Sequence, residues 1–213
     1  MAYAFNYDNY IVNMGKFLNR NDAAFLSTCP ISLSLAEQRI FIDFSHIGTE
    51  QSYTGNFTPN NAIIAKPPLW GDTETFSFLD STGRIHILDR VAYEYGRTFI
   101  DNPSEQNDDT LPTYYTDSGY GFLIVFPAPQ EAFAYQLIFQ QKAVPLGETQ
   151  QTNWYSTYGY DLLLFAALHE AACYLDNKSQ ADKWDGKYIQ RLELYNRYNK
   201  GRKADRGTDV LKD

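Results

Sequence analysis

Histidine and cysteine are scarce in this chain, three and two among 213 residues. The cysteines, Cys29 and Cys173, lie far apart and offer neither a disulfide framework nor a CxxC pair. The histidines, His46, His86 and His169, are scattered, so no His-rich metal centre is written into the sequence. His169 and Cys173 stand one helical turn apart, but two ligands do not make a metal site, and an apolar helix tucks such residues into its packing. No metal and no cofactor are expected. A G-x-S-x-G elbow and a phosphate-cradling glycine loop are also missing. Paired carboxylates leave no spacing signature, so a hydrolase built on them stays open.

Positive charge is short as well, with Lys+Arg 18 against Asp+Glu 26 and a net charge of −8. A general affinity for nucleic acid phosphates is therefore not expected, because few counterions would be released on contact. No apolar run reaches the roughly 20 residues needed to cross a bilayer as a helix. No basic start with an apolar core and cleavage site opens the sequence, which reads as a protein made and kept folded in a cytoplasm.

Aromatic side chains, by contrast, are abundant: 17 Tyr, 14 Phe and 3 Trp make 16% of the chain. Tyrosine joins a large rigid face to a polar tip, which suits surfaces where proteins meet. A β-rich domain that uses tyrosine as a strand former accounts for the same composition.

The stretch Trp154–Asn199 organises the rest as two helices joined by a tight turn. In the first, Asp161–Leu175, the run Leu162–Leu168 is apolar on every face, which fits a helix enclosed by other elements. The second, Lys178–Asn199, is one-sided: Ala181, Trp184, Tyr188, Leu192 and Tyr195 recur at steps of three and four. Asp176-Asn177 supplies the turn, and Asn177 with Gln180 reads as a capping box.

Toward the N-terminus, a short helix is expected over Asp8–Leu18 with Asp8 as its cap, then a turn of helix after Asn21-Asp22 through Ala23, Phe25 and Leu26. A third helix is expected from Ile31 to about Phe44, with Pro30 in its first turn. Its apolar residues cover more than one face, so it is expected to pack both on its N-terminal neighbours and on the later helical pair. Residues 48–61 read as a linker rich in Thr, Ser, Gly and Asn. Strands are expected at Ala62–Lys66, Glu74–Leu79, Arg84–Leu88, Tyr120–Phe126 and Phe133–Gln140. The second and third of these form a hairpin about Asp80-Ser81-Thr82-Gly83. Helical spacing returns over Leu88–Phe99. The acidic run Asp101–Thr110 lacks the ligand alternation of a calcium loop and reads as solvated.

The expected fold class is α+β: a helical bundle formed by N- and C-terminal helices with an inserted antiparallel β domain. The divisions are an N-terminal helical segment 1–47, a β-rich insert 48–150, a helical hairpin 151–199 and a charged tail 200–213. The tail holds Lys200, Arg202, Lys203, Arg206 and Lys212 against Asp205, Asp209 and Asp213, has few apolar residues, and on its own is expected to be disordered.

The order of several motifs is similar to that of the head-to-tail adaptor (connector, or neck) proteins of tailed bacteriophages. They are LSLAEQRI (Leu33–Ile40), LDRVAYEY (Leu88–Tyr95), LPTYYTD (Leu111–Asp117), IVFPAPQEAFAYQLIF (Ile124–Phe139), TNWYSTYGYDLLLFAALHEAACYL (Thr152–Leu175) and NKGRKADRG (Asn199–Gly207). The resemblance implies a structural, non-enzymatic virion protein: a twelve-membered ring at the neck that joins the portal protein to a tail nozzle or tail-tube protein, with DNA passing through unbound. It implies that the tail residues Lys200, Arg202, Lys203, Arg206, Val210 and Leu211 dock on the portal. A ring needs a heterologous contact between subunits, for which Trp184, Tyr188 and Tyr195 are the candidates. Two other readings remain, an aromatic-rich carbohydrate-binding tail module and an unrecognised hydrolase.

Overall fold

The computed structural model describes residues 5–44, 49–101, 111–119 and 121–207, with 99–101 and 200–207 described by backbone alone. The elements in chain order are α1 (Tyr7–Leu18), α2 (Ala23–Leu26), α3 (Cys29–Asp43), β1 (Glu50–Asn56), β2 (Ile63–Ala65), β3 (Trp70–Leu79), β4 (Ile85–Ile87) and β5 (Asp89–Arg90). They continue as α4 (Tyr93–Asp101), β6 (Tyr114–Ser118), β7 (Phe122–Phe126), β8 (Ala134–Gln141), α5 (Trp154–Tyr158), α6 (Tyr160–Tyr174) and α7 (Lys178–Gly207). The chain divides into two units, 1–49 with 142–213, and 50–141. The architecture is α+β.

In the helical unit, helices from both ends of the chain share one core. Leu162, Leu163, Ala166, Ala167 and Leu168 of α6 are all but inaccessible, and Tyr10, Met14, Leu33, Ile40, Trp184 and Tyr188 close round them. That enclosure is why α6 is apolar on every side. The helix starts carry ordinary capping chemistry, with one correction. The cap of α1 is Asn6, whose Oδ1 accepts the Asn9 amide at 2.8 Å, while Asp8 lies inside the first turn. Asp22 caps α2, and Asn153 with Ser156 forms a reciprocal box at α5. At α7 the box is only half made: Asn177 Oδ1 accepts the Gln180 amide at 3.2 Å, but Gln180 Oε1 finds no partner. Gly15, in the interior of α1, is accounted for by a close approach, since a Cβ there would meet the Arg20 carbonyl oxygen at 2.9 Å.

The second unit holds two four-stranded sheets, ordered β1-β8-β3-β4 and β2-β7-β6-β5. The first is antiparallel throughout, with β3 and β4 forming the expected hairpin, whereas β5 pairs with β6 in parallel. The inserted domain is therefore mixed rather than purely antiparallel. Phe76, Phe78, Leu137 and Phe139 of the first sheet and Ile64, Leu123, Val125 and Tyr115 of the second form one core. Aromatic contacts join the layers, as where Phe76 meets Tyr115 at 5.4 Å between ring centroids.

Three expectations for this unit are corrected. Residues 48–61 contain β1, whose polar sequence hides it because it is an edge strand exposed over most of its length. β6 was not anticipated either. The helix expected from Leu88 begins at Tyr93, because Leu88 is drawn into the sheet core and Asp89–Arg90 pair with β6. The acidic run 102–110 lies outside the described residues.

Helix α4 lies on β6 and β7, and Gly96 makes the close approach: a Cβ there would sit 2.4 Å from the Phe126 ring, which is fully buried. Gly96→Val is expected to cost about 1 to 3 kcal/mol by overpacking, read as a lower denaturation midpoint. An unchanged midpoint would mean that α4 lifts away freely.

Candidate functional site

The aromatic stripe of α7 faces inward. Trp184 is 3% exposed, its ring stacked on Phe165 at 5.9 Å and edge-on to Phe17 at 5.6 Å. The ammonium groups of Lys183 and Lys187 each stand 4.7 Å from its centroid. Tyr188 is inaccessible; its hydroxyl donates to Asp43 at 2.8 Å, and the Arg39 guanidinium lies 4.2 Å over its ring. Arg39 in turn bonds Asp185 at 2.6 Å, so α3 and α7 are tied by a polar ladder outside the apolar contact. Tyr195 is half-buried, with its hydroxyl 3.0 Å from both Asp161 Oδ1 and the Tyr158 carbonyl. Trp184 and Tyr188 are thus packed against their own chain. The reason is the one-sidedness of α7: its single apolar stripe is consumed in covering α6.

Part of the tyrosine content is spent in this way. Tyr10, Tyr155 and Tyr188 bury their rings, and Tyr10 and Tyr188 hand their hydroxyls to a carbonyl or a carboxylate. Burial, with Asp161 or Asp43 nearby, pushes the Tyr10 and Tyr188 hydroxyls well above the usual range, so both act only as neutral donors.

The basic residues Lys200, Arg202, Lys203 and Arg206 fall on the last turns of α7, which passes through Gly201 and ends at Gly207 rather than stopping near Asn199. Cations suit that end, where the helix leaves carbonyls unsatisfied. Val210 and Leu211 lie outside the described residues.

Apolar groups without cover are found elsewhere. On α3, Ile31, Leu35 and Ile42 are 64%, 45% and 80% exposed and, at spacings of four and seven, form one ridge opposite the buried Leu33, Ala36 and Ile40. α3 packs on α1 and α2 and on α6 of the later pair, as its two apolar faces led one to expect, while the ridge of Ile31, Leu35 and Ile42 stays exposed among the described residues. On the first sheet, Leu79, Ile85 and Ile87 are exposed on the outer face of β3 and β4.

Four polar arrangements are fixed by the fold. Glu37, on α3, is buried and accepts from the Leu146 amide and from Asn153 Nδ2 at 2.6 Å, pinning the return segment to the helical core. Desolvation pushes its carboxyl up to about 7, against the pull of those donors. Asp80 accepts from the Thr82 hydroxyl, the Arg84 amide and His86 in the β3–β4 turn, which holds its carboxyl well below the usual carboxylate range. Lys66 donates to Asp117 and to the Gly119 carbonyl with its ammonium 3.7 Å over the Trp70 ring. His169 and Cys173 approach at 3.6 Å, with the other ring nitrogen of His169 on the Ala181 carbonyl. The turn about Asp80 and the spacing of His169 and Cys173 had a sequence signal; the Glu37 and Lys66 arrangements join residues far apart in the chain.

Among the described residues no group of three or more His, Cys, Asp or Glu is placed to hold a metal ion, and no helix is long and apolar enough to cross a membrane. Two open clefts occur in the β-rich unit. One, of about 610 Å³, crosses the first sheet over Thr54, Ser77, Ala134 and Gln136. The other, of about 630 Å³, borders β4 and holds Asp80. Among the described residues neither pairs two carboxylates. The rings of Phe78 and Tyr135 beside the first cleft are buried and present no face to a sugar.

The model of the SU10 adaptor protein family matches residues 14–210, which takes in both units and the basic end of α7. No curated protein matches the chain.

Proposed function

The chain belongs to the SU10 adaptor protein family, a family of bacteriophage structural adaptors, and we propose that it forms a ring at the virion neck between portal and tail. The family match across residues 14–210 carries this reading. In it, the terminal helices act as one bundle against the portal, about twelve copies close the ring by a heterologous contact, and a tail nozzle or tail-tube protein docks below. The work is adhesion rather than bond-making. The net charge of −8 supports a lumen through which DNA slides, because like charge keeps phosphates from sticking.

The basic end of α7, Lys200, Arg202, Lys203 and Arg206, with Val210 and Leu211 beyond it, is the portal-docking segment in this reading. Deleting residues 200–213 is expected to leave the melting midpoint unchanged, since the stripe that covers α6 ends before it, and to abolish pull-down by the matching portal protein. Retained capture would remove the role of the tail. Electron micrographs of particles with no density for this chain at the neck would remove the whole reading.

A further inference from the structure

We infer that the antiparallel sheet of the β-rich unit is continued by a second copy of this chain, with β4 of one copy pairing to β1 of the next. The inference deepens the ring proposed above and rests on it for the identity of the partner.

Strand parity comes first. The order β1-β8-β3-β4 contains four strands, each antiparallel to its neighbour, so the two edges run in opposite directions. A copy carried round a ring axis keeps its orientation relative to that axis, and its β1 then arrives antiparallel to the preceding β4. An odd number of strands would have forced a parallel join. The alternation of the sheet thus continues unbroken across a heterologous contact.

Both edges are only lightly blunted. Natural edge strands are kept apart by charges, prolines, bulges or shortness. β1 carries one charge, Glu50 at its start, and β4 is three residues long, but Gln51–Asn56 and Ile85–Ile87 contain no Lys, Arg, Asp, Glu or Pro. The irregularities of register in this sheet fall between β3 and β8, away from either edge. Among the described residues no strand pairs with the free side of β1 or β4.

The faces match in one register. Ile85 and Ile87 point to the outer face, 73% and 66% exposed, while His86 turns inward to stack on Phe78 at 5.0 Å. On β1 the outward residues are Ser52 and Thr54, and Tyr53 faces inward, 41% exposed at the rim of the core. Setting Ile85 opposite Thr54, His86 opposite Tyr53 and Ile87 opposite Ser52 puts branched chains beside small hydroxyl residues outside. The same register sets ring beside ring inside. A shift by one residue would send both isoleucines to the wrong face. A cleft of about 630 Å³ borders β4, lined also by Leu111, Pro112 and Thr113.

The test is disulfide trapping in the full-length chain carrying Cys173→Ser, since Cys173 is exposed and Cys29 is buried. Thr54→Cys and Ile85→Cys are introduced singly and together, and the protein is oxidised with and without the portal protein. Directly opposed residues on paired strands stand at disulfide distance, so the double variant is expected to give a ladder of linked copies while each single variant stays unlinked. Dimers from Thr54→Cys alone would mean that β1 meets itself, and links in no variant would mean that another chain or solvent covers these edges; either result overturns the inference. Portal pull-down on the same samples separates the two ideas. A ladder without portal capture sinks the neck reading and keeps the sheet contact, and capture without a ladder does the reverse.

Discussion

Replacing Leu163 with alanine is expected to lower the stability of the helical unit by about 3 kcal/mol, near the middle of the range for deleting a buried leucine side chain. Leu163 is wholly inaccessible on α6, the helix on which α1, α3, α5 and α7 pack. Truncation removes apolar contact from several elements at once, and the site has little means of collapsing. Its neighbours one turn along the same helix, Ala166 and Ala167, are too small to reach into the gap. Urea denaturation followed by circular dichroism measures the loss. A change under about 1 kcal/mol would mean that neighbouring helices close on the space, and that α6 is less tightly held than its burial implies. Leu35→Ala on α3 is the control, since that side chain is 45% exposed and should cost far less.

Glu37 supplies the second large effect, and its direction with pH is the informative part. The carboxyl is pushed from its ordinary value of 4.5 up to about 7 in the folded chain. The folded state therefore holds a proton that the unfolded state gives up first. The stabilising contribution is fully present below pH 4.5 and is lost as pH rises through about 7, amounting to about 3 kcal/mol at most. Glu37→Gln keeps the shape and an acceptor for the Leu146 amide but cannot ionise. The melting midpoints of the two proteins are expected to agree near pH 4.5 and to part above pH 7, with the glutamine variant the more stable. Taking the difference at each pH removes the titration of all other groups common to both. The opposite order at pH 8 would show that the bonds from Leu146 and Asn153 outweigh the cost of burying the charge.

How much of this was legible beforehand depended on whether the signal was local. α6 announces itself by seven apolar residues in succession, Leu162–Leu168, and α7 by one stripe, because a helix repeats its environment every three or four residues. The β3–β4 hairpin was readable from Asp80-Ser81-Thr82-Gly83 for the same reason. β1 was not readable, since EQSYTGN carries no apolar alternation and its Gly and Asn read as linker; it is a strand because β8 offers it a ladder from Glu50 to Asn56. The glycines show the same limit. Gly55 and Gly96 look like loosening residues, and only the approach of Tyr135 and Phe126 gives them a reason.

The division is sharpest at the proposed contacts. Composition marked Trp184 and Tyr188 as material for an interface, and their spacing was right for a helix face, but spacing carries no information on which partner takes that face. The helix and hairpin positions, the acidic balance and the resemblance to neck adaptors could be read from the amino-acid order, because each is a property of short windows or of order along the chain. Only the tertiary structure decided that α7 spends its aromatic stripe on α6, that Glu37 is buried against the return segment, and that Ile31, Leu35, Ile42, Ile85 and Ile87 stay uncovered. Burial is a property of what surrounds a residue, and for Glu37 and Tyr188 those surroundings include segments more than a hundred positions away.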